Sequence, residues 1–296
     1  MTLDWTCVPP QSWSTLAPHL HAWNRRPDGS VRCLHAEQGP DVAAHRAELA
    51  TLDAQGAAFW LCRDGAEPVG VLGCEVDHAA GRAWLRGPLV ARPALLETVN
   101  GPLTMSLLQT ALPQIRQWDA FPTADDAPLH AWYAAAGFAP QQLHRVLRTP
   151  AAGLAAHVPA ASVRMATARD AVAAWRLNRA LFPSSYLSAD AFRGGTPQRT
   201  LLVLVADSGA VAGYLHAEDR PLSDEWYVDY LGVAQAQRGR GGATALLQRA
   251  GRCAAERARA HVTLTVREDR RSAIGLYARC GFVELSAGRH WQRTLP

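Results

Sequence analysis

The chain of 296 residues contains no lysine: all 30 basic side chains are arginine, set against 26 acidic ones for a formal net charge of +4. So small an excess gives no ground for nucleic-acid binding. Arg249, Arg252, Arg257 and Arg259 spread around one amphipathic segment, the ordinary pattern of a solvated face. Cysteine is sparse too. Cys7, Cys33, Cys62, Cys74, Cys253 and Cys280 form no C-x-x-C pair and are too few over this length for a disulfide framework. The 11 histidines show no H-E-x-x-H or H-x-x-x-H spacing, so no metal site is expected. No apolar run reaches the roughly 18 residues of a membrane-spanning helix. Mean hydropathy is −0.11, and the start Met1-Thr2-Leu3-Asp4-Trp5 lacks the basic and apolar regions of a secretory signal. These absences predict a soluble cytoplasmic protein without a membrane partner. With 48% hydrophobic and 19% charged residues the chain can bury a full core. At roughly 100–200 residues per domain, its length suits two domains.

What is present is self-similarity. Residues 59–75 read as strand, Asp64-Gly65 turn, strand, and residues 202–218 repeat the pattern through Asp207-Ser208-Gly209. Gly213 stands 143 positions after Gly70. Independently, the helix end Trp132-Tyr133-Ala134-Ala135-Ala136-Gly137-Phe138 returns as Leu276-Tyr277-Ala278-Arg279-Cys280-Gly281-Phe282, shifted by 144. The stretch between the copies is rich in small residues, with Pro150 at its start and Pro159 near its end. The chain therefore reads as two tandem halves, residues 1–150 and 162–296, joined by a linker at 151–161. In the second half a short strand at 162–166 precedes a helix from Asp170, with Ala171, Ala174, Trp175, Asn178 and Leu181 on one stripe. The hairpin follows, then a strand at 226–233, a glycine-rich turn, a helix over about 241–257, a strand at 262–266 and a helix from about Ser272. That order is α+β.

The turn carries the chemistry. In Leu231-Gly232-Val233-Ala234-Gln235-Ala236-Gln237-Arg238-Gly239-Arg240-Gly241-Gly242-Ala243-Thr244, glycines sit where a helix begins, so its free N–H groups and positive dipole end can meet an anion. Gly239, Gly241 and Gly242 allow close main-chain approach to a diphosphate, and Arg238 and Arg240 add charge. A Rossmann fingerprint would need an acidic residue about twenty positions on, and a Walker loop would need Gly-Lys-Ser/Thr; neither occurs. Arg238-x-x-Gly241-x-Ala243 after Leu231-x-Val233 resembles motif A of the GNAT acyltransferase superfamily. The resemblance continues through the strand at 262–266 and Ala273-Ile274-x-Leu276-Tyr277-x-x-x-Gly281-Phe282, covering most of residues 162–296. One departure is Arg270, where many members carry asparagine.

The resemblance implies two tandem GNAT-like domains, each a mixed, mostly antiparallel twisted sheet flanked by helices. It implies acetyl-coenzyme A as cofactor, held by Leu231, Val233, Arg238, Gly239, Arg240, Gly241, Gly242, Ala243 and Thr244. Acetyl transfer would go directly to the amine of a small molecule or to a protein amino group. By position Tyr277 resembles the superfamily's proton donor to the departing thiolate, although helical spacing also sets it on one face with Ala273, Leu276 and Cys280, as a core tyrosine would be. Strand alternation aligns Glu225, Tyr227, Asp229, Leu231 and Val233 on one face, making Asp229 and Glu225 the candidate bases, acting directly or through water. Either carboxylate could instead bind a cationic acceptor. A coenzyme A sensor that moves no acyl group is the alternative. In the first half, residues 94–100 read Ala-Leu-Leu-Glu-Thr-Val-Asn, without Arg-x-x-Gly-x-Gly/Ala and with Glu97 opposing an anion. That half is expected to be a degenerate copy without a working acetyl-coenzyme A site.

Overall fold

The computed structural model describes residues 3–34, 39–53, 56–156, 162–185, 187–193 and 198–295. They fall into two units, Met1–His144 with Ala287–Pro296, and Arg145–Ser286.

The first unit runs β1 (Leu3–Cys7), α1 (Ala17–Asn24), α2 (Val42–Leu49), β2 (Ala57–Asp64), β3 (Glu67–Asp77), β4 (Arg82–Val90), α3 (Leu95–Thr98), α4 (Gly101–Ala111), β5 (Gln117–Ala120), α5 (Ala127–Ala135) and the start of β6 (Ala139–Pro150). The strands follow the order β1-β2-β3-β4-β5, antiparallel except for the parallel β4–β5 pair. Beyond β5 the sheet takes a strand from the end of the chain, where Trp291–Thr294 pair antiparallel with Ala120–Gln117. The helix at residues 127–135 starts at Asp126, which accepts from the Leu129 N–H at 3.2 Å, with proline in the first turn. One face of the sheet buries Trp118, Tyr133, Met105 and Leu108 with Trp291. The other buries Trp13, Leu16, Leu20 and Phe59.

The second unit runs from Arg145 through the rest of β6, then α6 (Ala151–Ala155), β7 (Val163–Met165), α7 (Ala168–Leu181), α8 (Ala189–Arg193), β8 (Arg199–Val205), β9 (Val211–Arg220), β10 (Glu225–Val233), α9 (Gly242–Glu256), β11 (His261–Arg267), α10 (Arg271–Arg279) and the beginning of β12 (Val283–Thr294). Its strand order is β7-β8-β9-β10-β11-β6, and β10–β11 are parallel. Alternate side chains divide between two layers. Trp226, Val228, Leu246, Leu247 and Leu264 form one core with Leu154. Val203, Tyr214, Phe192 and Ala174 form the other.

The expected linker is in part ordered structure. Ala151–Ala155 form a helix with Ala151 and Leu154 buried, because apolar side chains there meet a face of α9. A Cβ on Gly251 would lie 2.3 Å from that of Leu154. Residues 157–161 lie outside the described residues. The boundaries also differ from a simple division at 150, since residues 145–150 join the second unit and residues 287–296 the first.

Candidate active site

The site grows from the place where two parallel strands part. Glu225–Val228 pair with His261–Leu264, and pairing stops there although β10 continues to Val233 and β11 to Arg267. Tyr227 stands at the opening, its hydroxyl donating to Thr265 Oγ1 at 3.0 Å. From Tyr230 to Val233 the strand pairs only with β9 on its other side, so its remaining edge is open to a ligand backbone.

A β-bulge lies in the same strand. The register with β9 shifts between Val228 and Tyr230, leaving Asp229 as the extra residue. This corrects the single-face alternation expected for Glu225, Tyr227, Asp229, Leu231 and Val233. Leu231 and Val233 pack with Trp226 and Val228 in the core beneath α9, whereas Tyr230 packs with the core beneath α7 and α8. The two carboxylates therefore do not share a face with Leu231 and Val233, because one inserted residue reverses every later side chain.

At the end of β10 the chain enters the glycine turn. Gly239 and Gly241 have φ of +76° and +79°, and a Cβ at either would meet nothing within 4 Å, so both need glycine for the backbone and both border open space. Gly242 has a different reason: a Cβ there would come within 2.4 Å of Leu204 Cδ2, so glycine lets α9 pack on β8. Among the described residues, no backbone N–H from Gly239 to Thr244 donates to another part of the chain. The arginines are exposed. Arg238 Nε donates to the Val233 carbonyl at 3.1 Å, and Arg240 donates to Gln237 Oε1 at 3.4 Å. An open glycine turn with unpartnered N–H groups at the start of a fifteen-residue helix suits a diphosphate, so these residues fit coenzyme A.

Helix α10 reaches the same region. The Thr244 side chain lies against the Cys280 thiol, and Tyr277 stands three residues before Cys280 on the same helix. Tyr277 is 9% exposed, packs edge to face on Phe282 at 5.6 Å, and its hydroxyl has no hydrogen-bond partner among the described residues. Burial pushes its pKa up to about 12, which keeps the phenol protonated at neutral pH. Arg270, the departure from the family pattern, caps α10 without a side-chain hydrogen bond.

The carboxylates sit on the face toward α7 and α8. Glu225 accepts from Thr263 Oγ1 at 2.7 Å and lies 3.5 Å from Arg220. Arg220 also reaches Glu218 at 3.0 Å and stacks 3.8 Å above the Tyr227 ring. Asp229 is held differently, by His216 Nδ1 at 2.9 Å, with its carboxyl only 6% exposed. His216 had no motif to mark it. Its signal was the alternation of Tyr214 and His216 on a strand whose partner could not be named without the bulge.

Comparison with known proteins agrees with this geometry. Residues 169–282 match the model of the acetyltransferase (GNAT) family. No curated protein matches the chain. Among solved structures, a GCN5-related N-acetyltransferase from Sphaerobacter thermophilus superposes with a TM-score of 0.66 at 18% identity, covering 99% of this chain and 95% of that one. A tandem GNAT protein from the clavulanic acid biosynthesis pathway gives 0.68 at 18%, covering 99% and 98%. A glucosamine N-acetyltransferase region of a fungal multi-domain β-N-acetylglucosaminidase gives 0.69 at 13%, covering 99% of this chain and 38% of that one. The fold is the tandem two-domain GNAT architecture, and residues 169–282 form a domain that matches the acetyltransferase (GNAT) family.

Proposed function

We propose that the second unit transfers an acetyl group from acetyl-coenzyme A directly to the amine of a small molecule or to a protein amino group. The observation that carries this reading is the open glycine turn, with unpartnered N–H groups from Gly239 to Thr244, beside strands that part after Val228 and Leu264. The turn and the first turn of α9 would hold the diphosphate, and the open edge from Tyr230 to Val233 would hold the pantetheine arm. When bound, acetyl-coenzyme A supplies a thioester carbonyl and a thiol leaving group. N–H groups on that open edge would donate to the carbonyl oxygen as charge develops. Asp229 would take the proton from the acceptor ammonium, directly or through water, and Tyr277 would donate its phenolic proton to the sulfur. Glu225, already engaged by Arg220 and Thr263, would shape the acceptor side.

Isothermal titration with acetyl-coenzyme A tests the reading. One site per chain is expected, and Gly241→Val should abolish it, since φ of +79° strains a β-branched residue and its side chain would fill the open space. Two sites would give the first unit a cofactor of its own, and no binding at millimolar ligand would end the acetyl-transfer reading.

A further inference from the structure

One pair of buried polar groups is not explained by packing. His216 has no exposed surface, its ring rests against Phe192 of α8 at 5.6 Å, and its Nε2 is buried without a hydrogen-bond partner among the described residues. An unpaired buried nitrogen is unfavourable, so the core gains nothing from an imidazole in place of an apolar side chain. The other nitrogen, Nδ1, meets the Asp229 carboxylate at 2.9 Å.

The first unit supplies an internal control, because its strands keep the same register on either side of the irregularity without this pair. Glu75 pairs with Trp84 and Cys74 with Leu85, as Glu218 pairs with Tyr227 and Ala217 with Val228. By the spacing of 143, His216 and Asp229 stand at the positions of Gly73 and Arg86, although Gly73 pairs with Arg86 directly whereas His216 pairs with Tyr230 and Asp229 is the extra residue. A Cβ on Gly73 would lie 2.4 Å from the Phe59 ring, so aromatic packing takes the space that the imidazole takes in the second unit. The sheet can evidently be built with neither residue, and the His216–Asp229 pair exists only in the unit that has the open turn.

We infer that His216 is a positioning residue: its Nδ1–H fixes the Asp229 carboxylate where the β10 bulge turns it toward the acceptor. The inference rests on the proposed role of Asp229 as proton acceptor. Bulges loosen the strand that bears them, and a carboxylate that rotates there would lose alignment with the amine. The grip is directional, since a donor on the β9 strand fixes one carboxylate oxygen.

The test compares wild type, His216→Ala, His216→Asn and Asp229→Asn. Each is assayed for thiol release with acetyl-coenzyme A and four primary amines: spermidine, tyramine, glucosamine and an alanine-initiated peptide. Asparagine can donate from near the position of Nδ1 but has no counterpart of Nε2. His216→Ala should lower kcat about a hundredfold with little change in the KM for acetyl-coenzyme A, and His216→Asn should recover most of the loss. Imidazole nitrogen NMR adds a readout that needs no acceptor. One histidine should show a protonated Nδ1, vanish in both His216 variants and shift in Asp229→Asn. Should the alanine variant fail to fold, His216→Asn carries the test, with near-wild-type kcat expected. Loss of activity in His216→Asn as deep as in Asp229→Asn would overturn positioning and make the ring itself the proton acceptor. An unchanged kcat in His216→Ala, or no spectral shift in Asp229→Asn, would also overturn it. Acetyl-coenzyme A binding without acetylation of any amine would instead strike at the transfer reading, while the spectrum still decides whether the pair is coupled.

Discussion

The two units use one register to build opposite environments. Tyr277 and Tyr133 occupy matching places in the repeat, yet the Tyr277 hydroxyl has no partner among the described residues whereas Tyr133, fully buried, donates to the Gly87 carbonyl. Asp229 is matched by Arg86, which is enclosed by Glu75 and by Glu48 at 2.6 Å. Glu225 and Thr263 are matched by Arg82 and Asp119, again an ion pair, at 2.5 Å. Even the aromatic ring at the strand opening keeps its guanidinium: Arg220 lies over Tyr227 from β9, and Arg82 lies over Trp84 from within β4. At the turn, the first unit places a short helix with Leu95 and Leu96 buried, and the Asn100 side chain accepts from the Leu103 N–H at 3.0 Å. The N–H groups of the glycine turn and the Tyr277 hydroxyl, without partners among the described residues, correspond in the first unit to a buried helix and a bonded hydroxyl, and the carboxylates on β10 correspond to arginines in ion pairs. The difference teaches that the fold requires the register and leaves the chemistry to the side chains placed on it, and it supports the proposal that the first unit holds no working cofactor site.

The tyrosine pair offers the largest contrast. Tyr277→Phe should lower kcat by roughly 10²–10⁴-fold while the calorimetric affinity for acetyl-coenzyme A is retained. Tyr133→Phe should leave kcat intact and cost about 1–3 kcal/mol of stability in denaturant melts, since a buried carbonyl loses its donor. Equal kinetic effects from the two substitutions would erase the distinction. Next come Trp291 and Leu147, equivalent positions on β12 and β6 that complete the first and second cores. Trp291→Ala should cost about 3–5 kcal/mol and raise amide exchange in β2–β5, and Leu147→Ala about 2–5 kcal/mol with exchange rising in β8–β11. The smallest effect is acidic. Burial lowers the pKa of His45 from 6.5 to about 4. Below pH 6.5 the unfolded chain takes the proton first, so the first unit should weaken as pH falls from 6.5 toward 4. His45→Gln should flatten that slope in melts taken across the range.

Much of the scaffold was legible in the sequence because repeated hairpins and helix ends have strong local signals. The spacing of 143 reappears in the strand pairing, Gly70 with Val90 and Gly213 with Val233. The glycine turn was legible too, although only Gly239 and Gly241 serve the backbone conformation and Gly242 serves packing against Leu204. What escaped was non-local. The bulge at Asp229 leaves no mark in the hydropathy of β10, and without it the pairing with His216 has no sequence signature. The small residues from Ala151 to Ala155 read as a linker because their partner, the face of α9 at Gly251, lies a hundred positions away.

The strand at the end of the chain has a consequence for the order of synthesis. The first unit is translated almost whole before the second begins, yet its sheet lacks Trp291, and Asp119 lacks the His290 contact at 2.6 Å, until residues 290–294 have left the ribosome. The half made first is thus the half finished last. During translation it stays an open-edged sheet with a gap in its core, and chaperone occupancy on nascent chains should persist over that half until residues 291–294 emerge.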